Sequence, residues 1–236
     1  MTAETGERLS IVIPVLNEAA TITAALTSLQ PYRARGVEVI VADGGSSDGT
    51  VRLALPLCDQ VVSAPRGRGA QMNAGAAAAR GDILLFLHAD TALPADADSV
   101  VRKGLGDGEH CWGRFDVAIT GAHWLLPVIA RMMSLRSRLT GIATGDQAMF
   151  VLREAFAAVS GFPDIPLMED IVMSQHLKRL TAPLCLRERV TTSGRRWEKQ
   201  GVVRTVLLMW RLRLAFFLGA PPKQLAKDYG YVPRDA

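Results

Sequence analysis

Cysteine is scarce in this 236-residue sequence. The three present, Cys58, Cys111 and Cys185, lie far apart with no CxxC spacing, which excludes a disulfide framework and a cysteine zinc site. They read as reduced cytosolic thiols, most of them buried. Aromatic residues make up only 6% and are not interleaved with the bases, so the net charge of +4 does not read as a nucleic-acid footprint. The basic clusters Arg66/Arg68, Arg195/Arg196 and Arg204/Arg211/Arg213 suit a small anionic substrate instead. No long uncharged apolar run occurs. The stretch from Val202 to Ala220 is apolar but broken by three arginines, which fits an amphipathic helix better than a membrane span. No basic region followed by an apolar stretch and a small-residue cleavage site precedes Leu9, so a cytoplasmic location is expected.

What is present reads as an α/β enzyme. Apolar, β-branched runs at Leu9 to Val15, Val37 to Ala42, Val61 to Ala64 and Ile83 to Leu87 predict four strands. Helical spacing separates them at Asn17 to Leu29, from Thr50 to the limit set by Pro56, and at about Ala70 to Arg80. This alternation argues for a parallel sheet with right-handed crossovers, which binds ligands beyond the carboxyl ends of its strands. The second half is less regular. It predicts strands at Trp112 to Ile119 and Ala148 to Leu152, with helices near His123 to Leu139 and Ile171 to Leu180. No linker separates the halves. One domain over 1–236 is expected, with a nucleotide-sugar half at 9–110, an acceptor and catalytic half at 111–200, and a C-terminal helix and tail at 201–236.

Three polar turns fall at predicted strand ends: Asn17-Glu18, Asp43 to Asp48, and His88-Ala-Asp90. A carboxylate at the end of a buried strand is poorly solvated unless it has a partner or a task. Asp43 would accept from a base or ribose, and Asp90 would bind a cation. His88 and Asp90, two apart in an extended segment, face the same side. An imidazole among the ligands favours Mn2+ over Mg2+, since magnesium prefers all-oxygen shells. Each turn also has an ordinary reading, because Asp-Gly pairs are common turn residues. Arg66, Arg68 and Gln71 sit before or within a helix N-terminus that suits a phosphate. Glu169 and Asp170 open a helix, where the dipole alone favours acids.

In order along the chain, Ile11 to Glu18, Val41 to Thr50, Gly69 to Asn73, Leu87 to Asp90, Gly145 to Gln147 and Glu169-Asp170 resemble the signature of glycosyltransferase family 2, which has the GT-A fold. The resemblance spans about residues 9 to 200. It implies a mixed, mainly parallel sheet flanked by helices, followed here by a C-terminal amphipathic helix. It further implies that Pro14, Glu18, Asp43 and Ser46, with Asn17 beside them, line a nucleoside site, and that Arg68 lies near the diphosphate. Asp90 ends the metal motif, and Asp170 with Glu169 supplies the catalytic carboxylate. At His88 the chain departs from the family's usual Asp. Arg195, Arg196 and Trp197 resemble the segment that closes over the diphosphate, and a mobile loop is expected there.

The compact length and the motifs His88 to Thr91, Gly145 to Phe150, Pro166 to Asp170 and Gly194 to Trp197 look most like the small bacterial branch associated with selenium metabolism. That branch includes selenosugar synthases. The resemblance implies an inverting transferase using a UDP-sugar, a UDP-N-acetylhexosamine, with a divalent cation, Mg2+ or Mn2+. Selenophosphate is the expected acceptor, with Arg66, Lys178, Arg195 and Arg196 as candidate partners for the anion. No nucleic-acid partner is expected. Two other readings stay open at this point: a polyprenyl-phosphate glycosyltransferase at the membrane surface, and a non-catalytic sugar-nucleotide sensor. Peripheral membrane contact or a homodimer would use the C-terminal helix.

Overall fold

The aliphatic runs of the first half form the centre of one sheet in the computed structural model, which describes residues 7–231. The side chain of Arg196 lies outside the described residues. Strands β1 (Leu9–Val15), β2 (Glu38–Asp43), β3 (Gln60–Ser63) and β4 (Ile83–Phe86) run parallel in the order β3-β2-β1-β4. All of β4 and all of β1 except Pro14 is buried, the pattern of strands covered on both faces. The helices between them are α1 (Ile22–Ser28), α2 (Gln30–Ala34), α3 (Thr50–Ala54) and α4 (Arg68–Ala78).

The second half extends the same sheet. It comprises β5 (Thr91–Ala92), α5 (Ala97–Leu105), β6 (Trp112–Thr120), α6 (Leu126–Thr140), β7 (Phe150–Leu152), α7 (Arg153–Ala158) and α8 (Glu169–Leu177). Then follow β8 (Leu184–Ser193), α9 (Arg195–Gln200), α10 (Val202–Phe217) and α11 (Pro222–Asp228). The order continues β4-β7-β6-β8-β5, with β7 antiparallel to both neighbours, β8 parallel to β6, and β5 antiparallel to β8. The result is the expected α/β class: a mixed, mainly parallel eight-stranded sheet flanked by helices.

One close approach positions the site. A Cβ built on Gly75 would lie 2.3 Å from Val12 Cγ1, so glycine is what lets α4 settle on β1. Because α4 follows β3, its first residue, Arg68, then stands at the carboxyl edge of the sheet.

Several expectations need correction. The first helix starts at Ile22, not Asn17, because Asn17 is left-handed (φ 56°) and residues 17 to 21 are occupied in a turn. β8, ten residues long, carries charges at Arg187, Glu188 and Arg189, and no apolar run announces it. The Arg195 to Trp197 segment is helical, not a loop. Of the cysteines only Cys58 is buried, while Cys111 and Cys185 are half-buried.

Candidate active site

Side chains tie the ends of β1 and β2 together before any ligand is considered. The Asn17 N–H donates to Ser46 Oγ at 2.8 Å, and Asn17 Oδ1 accepts from the Ser47 N–H at 2.9 Å. The Glu18 N–H donates to Thr50 Oγ1 at 2.8 Å, and its carboxylate accepts from Thr21 Oγ1 at 2.6 Å. Asp43, 6% exposed, accepts the N–H groups of Gly45 at 3.0 Å and Ser46 at 3.1 Å. These bonds satisfy the polar groups that a buried strand end otherwise leaves unpaired.

Beyond those ends lies a cleft of about 320 Å³. Pro14 and Glu18 border it from β1, Arg68 and Gln71 from α4, and His88 and Asp90 from the turn after β4. Gln71 is buried, and its Nε2 donates to Val15 O at 2.6 Å and Ala42 O at 3.1 Å, so its amide braces the two strand ends. His88 Nδ1 stands 3.6 Å from Asp146 Oδ1, and a Cβ at Gly145 would lie 2.4 Å from His88 Cε1. Glycine at 145 therefore makes room for the imidazole. Asp90 is exposed to the cleft; among the described residues its carboxylate receives one long hydrogen bond, from Thr91 Oγ1 at 3.4 Å, and pairs with no cation.

Among the described residues no three His, Cys, Asp or Glu side chains gather as a metal cage. A divalent cation beside a diphosphate takes only one or two protein ligands, the rest being phosphate oxygens and water. An unengaged carboxylate at Asp90, with His88 two residues away and both on the cleft, fits that donor set.

A second cavity of about 90 Å³ adjoins the first and shares Arg68, His88 and Asp146 with it. Glu169 and Asp170 enter it from the first turn of α8, after Met168 turns the chain in a left-handed conformation (φ 72°). Asp170 is held by two backbone donors, the Gly145 N–H at 3.0 Å and the Ile171 N–H at 2.8 Å. Glu169 is 4% exposed, and Arg68 Nη1 lies 3.9 Å from its Oε1. Burial and then the adjacent Asp170 charge push the Glu169 carboxyl above its ordinary range, against the pull of Arg68. Nearby, Arg136 of α6 has a buried Nε and Nη2 with no hydrogen-bond partner. Burial and the neighbouring Arg213 push its pKa down to about 10.

The glycosyl transferase family 2 model matches residues 10–157 of this chain. The chain belongs to that family. Among curated relatives, a PGL/p-HBAD biosynthesis glycosyltransferase of Mycobacterium bovis is 35% identical over 108 residues, 43% of this chain and 42% of its own length. Glucosyl-3-phosphoglycerate synthase of Mycobacterium tuberculosis is 35% identical over 102 residues, 39% of this chain and 32% of its own length. The chain thus spans less than half the length of these relatives.

The fold of this family 2 member recurs in solved structures. TarS of S. aureus in complex with UDP-GlcNAc superposes with a TM-score of 0.62 at 15% identity, covering 79% of this chain and 58% of that one. The mannosyltransferase PcManGT of Pyrobaculum calidifontis, in complex with GDP-Man and Mn2+, gives 0.63 at 21% identity, covering 89% and 61%. These likenesses establish the GT-A-like fold.

Not every residue singled out from the sequence reaches the cleft of this family 2 chain. Pro14, Glu18, Arg68, Gln71, His88, Asp90 and Trp197 border it, and Glu169 and Asp170 border the adjoining cavity. Asn17, Asp43 and Ser46 sit in the bonded ends of β1 and β2 and line neither cavity. Arg66 is exposed with its guanidinium 5.8 Å from the Tyr231 ring centroid, and does not line either cavity. Arg195 is exposed and bonded through Nε to Ser193 Oγ at 3.1 Å, also outside both linings. Lys178 follows the far end of α8 and donates to Thr140 O, about 13 Å of helix away from Glu169.

Sequence reading placed Asp146 only within the Gly145 to Gln147 motif and Arg213 only in a basic cluster, and it missed Met209, Tyr229 and Tyr231. The last three come from α10 and the segment after α11 and close the cleft opposite β1. Two tyrosines around Gly230, in a chain with only three tyrosines, were the available signal.

Proposed function

We propose that this chain transfers an N-acetylhexosamine from its UDP-sugar, with inversion, to a small anionic nucleophile, and that the nucleophile is selenophosphate. The observation that carries the transferase reading is the shared border: Arg68, His88 and Asp146 line both the cleft that holds Asp90 and the cavity that holds Glu169 and Asp170. A donor's diphosphate beside Asp90 and Arg68 would put its anomeric carbon at that border. The acceptor then approaches from the Asp170 side.

In this reading Pro14, Asn17, Glu18, Asp43 and Ser46 form the nucleoside end, and Trp197 lines the same cleft. Asp90 and His88 hold a divalent cation, Mn2+ or Mg2+, which when bound screens the diphosphate and stabilises it as the leaving group. Arg68 adds a fixed positive charge where the leaving group's charge develops. Asp170, oriented by two backbone N–H groups, positions the acceptor. A selenolate is already deprotonated and needs little help from a base. Support for the donor includes a fold shared with TarS bound to UDP-GlcNAc; support for the acceptor is the resemblance of the four short motifs described above.

Incubating the purified protein with UDP-N-acetylhexosamines and Mn2+ or Mg2+, with and without selenophosphate, tests all of this by mass spectrometry. The expected products are UDP and a selenium-containing sugar. Oxygen-linked glycosides alone, with selenophosphate neither consumed nor inhibitory, would remove the acceptor and leave the transferase. Binding of UDP without turnover of any donor would instead indicate a sensor.

A further inference from the structure

We propose that α6 and α10 together form one face that docks this protein on an anionic lipid surface. The inference does not depend on which acceptor the cleft uses.

The two helices come near each other at their starts and again further along. Near their starts, Glu198 accepts from the Ala122 N–H at 2.6 Å, and Leu126 and Val202 are buried in the same apolar cluster. Further along, Arg136 of α6 and Arg213 of α10 are close enough for the second charge to weaken the first. Each helix also carries an apolar row on its outer side. In α10 the row is Val203, Leu207, Trp210, Leu214 and Phe217, spaced by four, three, four and three residues, and each is at least 60% exposed. In α6 it is Val128, Met132, Leu135 and Leu139, at the same spacing and 47% to 78% exposed, with Trp124 just before the helix at 73%. Such spacing puts each set on one helix face. Rows this large and this contiguous are rare on a face that only water covers.

Charge decides between occupants. Neither helix contains an aspartate or glutamate, and each contains three arginines. Arg136 and Arg213 point inward, leaving Arg131, Arg138, Arg204 and Arg211 on exposed positions. Arg138 pairs with Asp116 and Arg211 with Asp228 at 3.5 Å, while Arg131 and Arg204 make no ion pair among the described residues. A second copy of this face would bring the same basic rows against each other, which opposes association. An anionic bilayer instead complements them, and an exposed tryptophan within one apolar row and another just before the other suit the headgroup level. No helix among the described residues is long and apolar enough to cross a membrane, so the pair would lie along the surface.

Co-sedimentation of the full chain with vesicles of phosphatidylcholine alone, or mixed with phosphatidylglycerol, tests the proposal. Partition should be at least about tenfold stronger on the mixed vesicles, with a blue shift of tryptophan emission. Leu207→Glu/Trp210→Glu should abolish it, and Arg131→Glu/Arg204→Glu should reduce it about tenfold, each with an unchanged circular dichroism spectrum. No partition, or partition that ignores both double substitutions, overturns the proposal. So does a solution dimer, seen by sedimentation, that Leu207→Glu/Trp210→Glu dissociates, because the face would then belong to a second copy.

Discussion

Asp43 ends β2, Asp90 lies in the turn after β4 and Asp170 opens α8, and their surroundings differ. Asp43 and Asp170 each accept two backbone N–H groups, whereas Asp90 has one long hydrogen bond. Removing the charge at Asp90 therefore takes little from the folded state. We expect Asp90→Asn to change stability by no more than about 0.5 kcal/mol. The same substitution should weaken UDP binding in the presence of Mn2+ by about tenfold or more, measured by calorimetry. UDP affinity indifferent to both the cation and the substitution would remove Asp90 as a ligand. Glu169 carries the opposite signature. Its raised carboxyl pKa means that the folded state holds the proton more tightly than the unfolded chain does. Its contribution is thus fully present below the ordinary glutamate range and is lost as pH rises through the raised value. Denaturant midpoints measured across that window should fall less for Glu169→Gln than for the native chain; parallel profiles would show that Glu169 is not the buried acid described.

At the scale of elements, α4 depends on a contact with no slack. Gly75→Ala puts a methyl group within 2.3 Å of Val12 Cγ1, inside a strand that is buried on both faces. Overpacking of this kind costs about 1–3 kcal/mol, and the helix it displaces carries Arg68. Thermal unfolding should show the loss, and UDP affinity should fall with it; a Tm equal to the native value would mean that α4 shifts without strain. The same packing explains what could be read in advance. β1, β2 and β4 are covered on both faces, so their sequences are continuous aliphatic runs, and the turns after them stand out as polar. β8 has the opposite problem. Beyond it lies only the two-residue β5, so much of it is half-exposed and its charged residues hide its strand periodicity. The start of α1 was misplaced for a third reason: side-chain bonds from Ser46, Asp48 and Thr50, far along the chain, hold residues 17 to 19 out of the helix.

Across the whole molecule, the strand-end side of the cleft was legible and the opposite wall was not. Pro14, Glu18, Arg68, His88 and Asp90 lie at or next to the ends of predicted elements, where local sequence is enough to place them. Asp146 reaches His88 only through the turn at Gly145–Gln147, and Met209, Tyr229 and Tyr231 arrive from more than a hundred residues away. Periodicity identifies α10 as amphipathic but does not say that its buried side closes a cleft.

Apart from Asp146, the opposite wall of that cleft comes after residue 157, where the family match stops. The wall before it would grip the nucleotide and cation, while Asp170, Trp197, Met209 and Tyr229 come after it. Most of the later wall therefore lies outside the matched segment. Two lineages indistinguishable over 10–157 are expected to part company in what they glycosylate, and the place to look for that divergence is the segment from 158 onward.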